Sequence, residues 1–214
     1  MESFLSLLHQ NLLDTSYVEI FAVFFGLLSV WYARNENIWV YPTGLINVGL
    51  YVYIFFGTKL YANMGINFYF VIMSIYGWYN WARVDENKKH IPISRCTRKE
   101  HLQNIAIFTI SFVALYFLLK NKTDSKFPIG DSFTSALYIV GMWLQTRKKI
   151  ENWYFWIIGD LLAIPLCIYS GLIFSGLQYA VFLIIAISGY IEWKKKLIVN
   201  EDGINNPISK SLNA

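Results

Sequence analysis

Charge is scarce in this chain. Only 15% of its 214 residues are Asp, Glu, Lys or Arg, against about a quarter in a soluble domain. The charges gather in short clusters, and the stretches between them are almost wholly apolar. Cysteine is nearly absent too. Cys96 and Cys167 fall in a basic loop and an apolar segment, so neither a disulfide framework nor a zinc spacing is expected. His9, His90 and His101 all lie outside the apolar segments, so no intramembrane metal or haem site is expected and no cofactor is implied. There is no Walker A loop, which excludes nucleotide hydrolysis through that motif. No nucleophile–base pair is evident, and the chain is not read as an enzyme. A retinal Schiff base needs a buried lysine, and the last apolar segment has none before Lys194. The opening residues, MESFLSLLHQNLLD, have no positive n-region and no small-residue cleavage site, so they do not read as a signal peptide. Residues 1–16 read as an amphipathic lead-in at the interface or as a disordered terminus.

What the chain does have is apolar length. Hydrophobic residues make up 56% of it and aromatics 18%. A helix crossing the hydrocarbon core needs about 17–25 residues, and seven segments qualify: 17–33, 38–56, 60–81, 102–119, 129–145, 153–169 and 176–193. The first and fifth are the weakest. The expected fold is an all-α integral membrane protein with seven transmembrane helices. Pro42 belongs to the first turn of the second span, where a missing N–H is tolerated, whereas Pro165 should kink the sixth.

Positive residues collect on one side. Alternate loops carry 14 of the 18 Lys and Arg residues, from Arg34 through 83–99 and 147–149 to 194–210, and the remaining loops carry Lys59, Lys120, Lys122 and Lys126. Positive loops stay in the cytoplasm, which places the N-terminus outside and the C-terminus inside. Basic loops facing anionic lipid need no nucleic-acid partner.

Two segments echo each other. Arg34, Asn37, Trp39 and Gly44 are followed about 113–115 residues later by Arg147, Asn152, Trp153 and Gly159, and Gly77 to Trp81 is followed 112 residues later by Gly189 to Trp193. The expected plan is a first three-helix repeat over 17–82, a basic linker over 83–101, a linker helix over 102–119, a second repeat over 127–196 and a tail over 197–214. The two triplets would be parallel, as in the SWEET sugar carriers, with rocking between them as the transport motion.

Ionisable groups at membrane depth are functional candidates by default. Asp160 lies seven residues into the sixth span, and Trp153, Trp156 and Asp160 are spaced i, i+3, i+7, on one helix face. Two indoles and a carboxylate suit a flat cation. Trp153 reads equally as an interfacial anchor, and Asp160 also as a structural pair. Asn47 sits at the matching depth of the second span, where an interhelical hydrogen bond is the plain alternative. Glu19, Trp143 and Gln145 lie nearer span ends and read as ligand contacts or as solvated interfacial residues. Asp131 is expected to cap the fifth helix. Trp78, Trp81 and Trp193 read as anchors, and Tyr53, Tyr61, Tyr69 and Gln178 stay open.

These motifs carry a resemblance. Arg34-x-Glu36-Asn37-Ile38-Trp39, Gly44-Leu45-Ile46-Asn47-Val48, Lys59-Leu60-Tyr61-Ala62, Gly77-Trp78-Tyr79-Asn80-Trp81, Asp131-Ser132 and Arg147-Lys148-x-x-Glu151-Asn152-Trp153-x-x-Trp156 resemble the PnuC family of bacterial vitamin carriers over residues 17–196. The resemblance implies uptake of nicotinamide riboside, or of thiamine as in some relatives, across the bacterial cytoplasmic (inner) membrane. It also implies a three-plus-one-plus-three helix plan, a homotrimer and facilitated diffusion sustained by a cytoplasmic kinase. It places substrate contacts on Trp153, Trp156 and Asn47. Asp160 stands where some family members have Asn. Both vitamins carry a fixed positive ring charge that an acid suits, and a neutral flavin would gain less. A ligand-binding sensor without flux is the alternative of another class.

Overall fold

The computed structural model describes residues 16–57, 61–84, 90–123, 125–170 and 173–205. They form seven α-helices: α1 (Tyr17–Arg34), α2 (Val40–Gly57), α3 (Tyr61–Ala82), α4 (Arg98–Lys122), α5 (Pro128–Thr146), α6 (Asn152–Tyr169) and α7 (Ile173–Asn205). No strand occurs among the described residues, only isolated bridges from Val84 to His90 and from Ser94 to Lys149. The expectations for the lead-in, for Lys59, Leu60, Lys88 and Lys89, and for the last residues of the tail fall outside the described residues.

Local chemistry explains the helix ends. The Ser16 hydroxyl accepts the Glu19 N–H at the start of α1. Thr97 and Glu100 form a capping box, so α4 begins at Arg98, four residues ahead of its apolar run. Pro128 opens α5, where its fixed φ and missing N–H suit the first turn. Asp131 is not the cap: it lies one turn in and accepts the Ser125 hydroxyl at 2.5 Å, tying the preceding loop to the helix. Pro165 lies inside α6. Helix α7, with 33 residues, runs about 50 Å.

Five helices are long and apolar enough to cross a membrane: α1, α2, α4, α6 and α7. The first, expected to be weak, is among them. The third is not, because three asparagines dilute its apolar run. Helix α5 is not either, yet it buries ten residues, Ser132, Thr134, Gln145 and Thr146 among them. Its polar groups are enclosed by protein, the setting in which they are tolerated at membrane depth. Large apolar side chains such as Ile110, Phe117, Leu161 and Ile184 are left exposed on other helices.

The helices pack in a ring. Within the first triplet α2 lies between α1 and α3, and within the second α6 lies between α5 and α7; α1 then meets α7 and α3 meets α5. Helix α4 packs outside, on α5.

Contacts within and between the triplets recur at a spacing of 112 residues. Trp81 donates its indole N–H to the Gln145 carbonyl at 3.1 Å, and Trp193 donates to the Ala33 carbonyl at 2.9 Å. Both rings are buried clasps between triplets, not interfacial anchors. Tyr41 lies edge-on to Trp81 at 5.2 Å, and Trp153 edge-on to Trp193 at 5.5 Å. Each of these partners rests on a glycine: a Cβ on Gly77 would stand 2.3 Å from Tyr41, and one on Gly189 would stand 2.5 Å from Trp153. The turns after α1 and α5 match as well. Glu36 and Lys148 both take positive φ, 59° and 51°, and the bonds Glu36 N–H to Ala33 and Asn37 N–H to Tyr32 repeat as Lys148 to Gln145 and Lys149 to Leu144. That is the Schellman pattern, with charged residues where glycine is usual.

The 112-residue spacing of these contacts differs from the 113–115 residues given by matching residue identities around Trp39. Tyr41, not Trp39, is the counterpart of Trp153. Trp39 is 58% exposed and precedes α2, so it shares residue type with Trp153 but not its buried setting. Gly26 against Asn47 corresponds to Tyr138 against Gly159. At that spacing Asn47 falls against Gly159, and the buried Val48 against Asp160.

Candidate functional site

Asp160 is the ninth residue of α6 and is 3% exposed. Its Oδ1 accepts the Tyr138 hydroxyl at 2.9 Å, and its carboxylate has no ion-pair partner among the described residues. A buried carboxylate without a cation is costly. Around it lies a run of rings. Tyr138 of α5 stacks on Trp156 of α6 at 5.4 Å and 28°, and on Tyr179 of α7 at 6.3 Å and 8°. Tyr179 meets Phe182 edge-on at 6.2 Å. The ring edge of Trp156 lies over Gly141, where an added Cβ would stand 3.2 Å away. Its indole Nε1 is buried and has no acceptor among the described residues. The cluster thus offers an acid, stacking surfaces and a spare N–H donor.

The structure brings Trp156 and Asp160 together through Tyr138, a residue that spacing arguments missed. Trp153 is not joined to them. It is 1% exposed and packs on Gly189 and Trp193 of α7. Asn47 donates to the Ala22 carbonyl at 2.6 Å, an α1–α2 link, and its amide lies beside Gly26. Gly26 is also near Phe182, so this link borders the far end of the ring run. Glu19 occupies the first turn of α1. Trp143 stacks on Tyr76 of α3 at 6.2 Å with the Arg147 guanidinium 4.9 Å over its ring. Gln145 is buried, and its carbonyl is held by Trp81. None of these three is hydrogen-bonded or stacked with Asp160, Tyr138 or Trp156 among the described residues. Tyr53 is exposed, Tyr69 donates to the Ile139 carbonyl at 3.0 Å, and a hydrogen bond links Gln178 with Tyr51. No cluster of metal-ligating side chains occurs among the described residues.

The loop end of the bundle is sealed by charge. Lys148, 5% exposed, sits 2.8 Å from one Glu36 oxygen, and Lys196 sits 2.9 Å from the other. The Lys148 ammonium also lies 4.7 Å over the Trp81 ring. Partial burial pushes the Glu36 carboxyl up, but the bonds and charges of Lys148 and Lys196 outweigh it and hold the group below the ordinary glutamate value of 4.5. The basic linker closes over the same end, with Ser94 bonded to Lys148 and Ile150 through the backbone.

Comparison with known proteins gives a consistent set of relatives. The family model described as "Nicotinamide mononucleotide transporter" matches residues 16–195. The nicotinamide riboside transporter PnuC of Escherichia coli (strain K12) is 29% identical over 205 residues, covering 84% of this chain and 86% of the relative. The riboflavin/roseoflavin transporter RibM of Streptomyces davaonensis is 26% identical over 171 residues, covering 78% and 80%. A crystal structure of the vitamin B3 transporter PnuC shares the fold, with a TM-score of 0.68 at 24% identity over 90% of this chain and 89% of the other. These relatives are transporters, not enzymes.

Proposed function

The chain belongs to the nicotinamide mononucleotide transporter family, and on that premise we propose that it is a multi-pass carrier taking up nicotinamide riboside across the bacterial cytoplasmic membrane. One observation carries the choice of substrate: Asp160 is buried and unpaired by any cation among the described residues, beside the stacked rings of Trp156 and Tyr138. A flat ring with a fixed positive charge supplies the missing counter-charge and stacks on the aromatics. The unpaired Trp156 N–H suits a carboxamide or hydroxyl oxygen. The named activities of the Escherichia coli and other PnuC relatives support nicotinamide riboside. The RibM relative is named for riboflavin and roseoflavin, flavins without a fixed positive ring charge.

We infer that the two triplets are parallel repeats about an axis along the membrane normal. A bond between Glu36 and Lys148, which lie 112 residues apart, supports an axis passing beside them. The Trp81 and Trp193 clasps flank it. Access from this end requires the triplets to part there, which is the rocking expected of such repeats. The distribution of Lys and Arg supports a cytoplasmic position for this end, with the N-terminus outside. Transport is by facilitated diffusion, and a cytoplasmic kinase that traps the riboside sustains net uptake. The assembly is a homotrimer.

Proteoliposomes holding the purified protein and an internal riboside kinase should accumulate labelled nicotinamide riboside. Uptake no faster than in protein-free vesicles would overturn the carrier reading. Binding without flux would mark a sensor. Displacement of label by thiamine, more strongly than by unlabelled riboside, would reassign the vitamin.

A further inference from the structure

We propose that Tyr138 is the positioning residue for Asp160 and that this pair sets the preference for a cationic over a neutral ring. The inference rests on the reading of Asp160 as the counter-charge.

The Tyr138 hydroxyl supplies the one hydrogen bond found to Asp160 among the described residues, 2.9 Å to Oδ1. The phenol has little freedom. Trp156 and Tyr179 stack on it, and its edge lies so close to the α6 backbone that a Cβ on Gly159 would stand 2.4 Å from Cε1. A ring held by two stacks and a glycine shelf fixes where its hydroxyl points. That hydroxyl in turn fixes which carboxylate oxygen is left for a ligand. A carboxylate accepts several bonds, and one donor leaves most of its capacity free.

The two halves of the molecule separate scaffold from function. Contacts that both halves need are present in both: Tyr41 and Trp153 on their glycines, and Trp81 and Trp193 on opposite carbonyls. The Tyr138–Asp160 pair is present in one half only. Its counterparts are Gly26 and Val48, and there α1 packs on α2 through Asn47, bonded to the Ala22 carbonyl beside Gly26. The fold closes at this level without a tyrosine or an acid. Both members of the hydrogen-bonded pair are therefore departures from the scaffold, and each is the other's partner. A carboxylate held this way recognises charge, whereas the stacking faces of Trp156 and Tyr179 accept any flat ring.

The test compares nicotinamide riboside with its uncharged 1,4-dihydro form as competitors of labelled riboside in proteoliposomes. Wild type, Tyr138→Phe, Asp160→Asn and the double variant are measured together. Phenylalanine keeps every stacking contact, so Y138F should still unfold cooperatively, with a melting temperature lowered by the lost bond to Asp160. Y138F should weaken competition by the cation about tenfold, the scale of one hydrogen bond to a charged group, and leave the dihydro form within about twofold. In the Asp160→Asn background, Y138F should change the ratio no further. Equal weakening of both forms by Y138F, or no effect on either, would overturn the assignment of Tyr138. If Asp160→Asn removes the preference and Y138F does not, only this inference fails. If Asp160→Asn leaves the preference intact, the carboxylate reading fails and takes this one with it.

Discussion

At the scale of single residues, the site comes down to what surrounds one acid. Asp160 sits in protein interior at membrane depth, with a tyrosine hydroxyl and no cation beside it. Its charge is useful only if something brings the counter-charge. Asp160→Ala should therefore weaken riboside binding more than Asp160→Asn, because the amide oxygen still accepts from Tyr138 and can accept from a ligand, while alanine offers no acceptor. Equal affinity in both variants and wild type, read by titration calorimetry, would remove Asp160 from the site. Asp160 and Trp156 of the proposed site stand out in the sequence as an acid and an indole in an apolar run. Tyr138 does not, since it is one of 15 tyrosines and nothing in its neighbours marks it. Its signal lies in the register of the two halves, where it replaces Gly26, and that register was hidden by the mismatch of Trp39 and Trp153. The role of Trp153 was hidden for the opposite reason: its glycine shelf, Gly189, lies on another helix.

At the scale of helices, apolar length marked all seven, and the observed ends differ from expectation where polar caps extend a helix, as Thr97 and Glu100 do for α4. The helix order around the ring could not be read from spacing, because it depends on which glycines admit which rings. Gly189→Ala should destabilise by about 1–3 kcal/mol, the usual penalty of overpacking, since the new Cβ meets Trp153 in a core with no room to yield. Thermal unfolding in detergent reads it, and an unchanged midpoint would contradict the packing described. The two indole clasps make equivalent bonds from opposite halves. Trp81→Phe and Trp193→Phe should each lose about 1 kcal/mol, by similar amounts, in the same assay.

At the scale of the whole molecule, the closed loop end depends on a charge pair that joins the halves. Glu36→Gln leaves Lys148 buried without its counter-charge, and a loss of roughly 3 kcal/mol is expected. The sign with pH follows from the lowered carboxyl. Its stabilisation is present above the ordinary glutamate value of 4.5 and is lost as pH falls through the lower folded value. Melting temperature should therefore drop more steeply below that value in wild type than in Glu36→Gln. The central claim, a carrier that recognises its substrate by charge at Asp160, is tested most directly by equilibrium exchange of labelled nicotinamide riboside into proteoliposomes bearing wild type or Asp160→Ala. Wild type should exchange label well above protein-free vesicles, with Asp160→Ala slowed by a rise in half-saturating concentration while its melting temperature shows a folded protein. Equal exchange by both proteins, or none by wild type, would contradict the account.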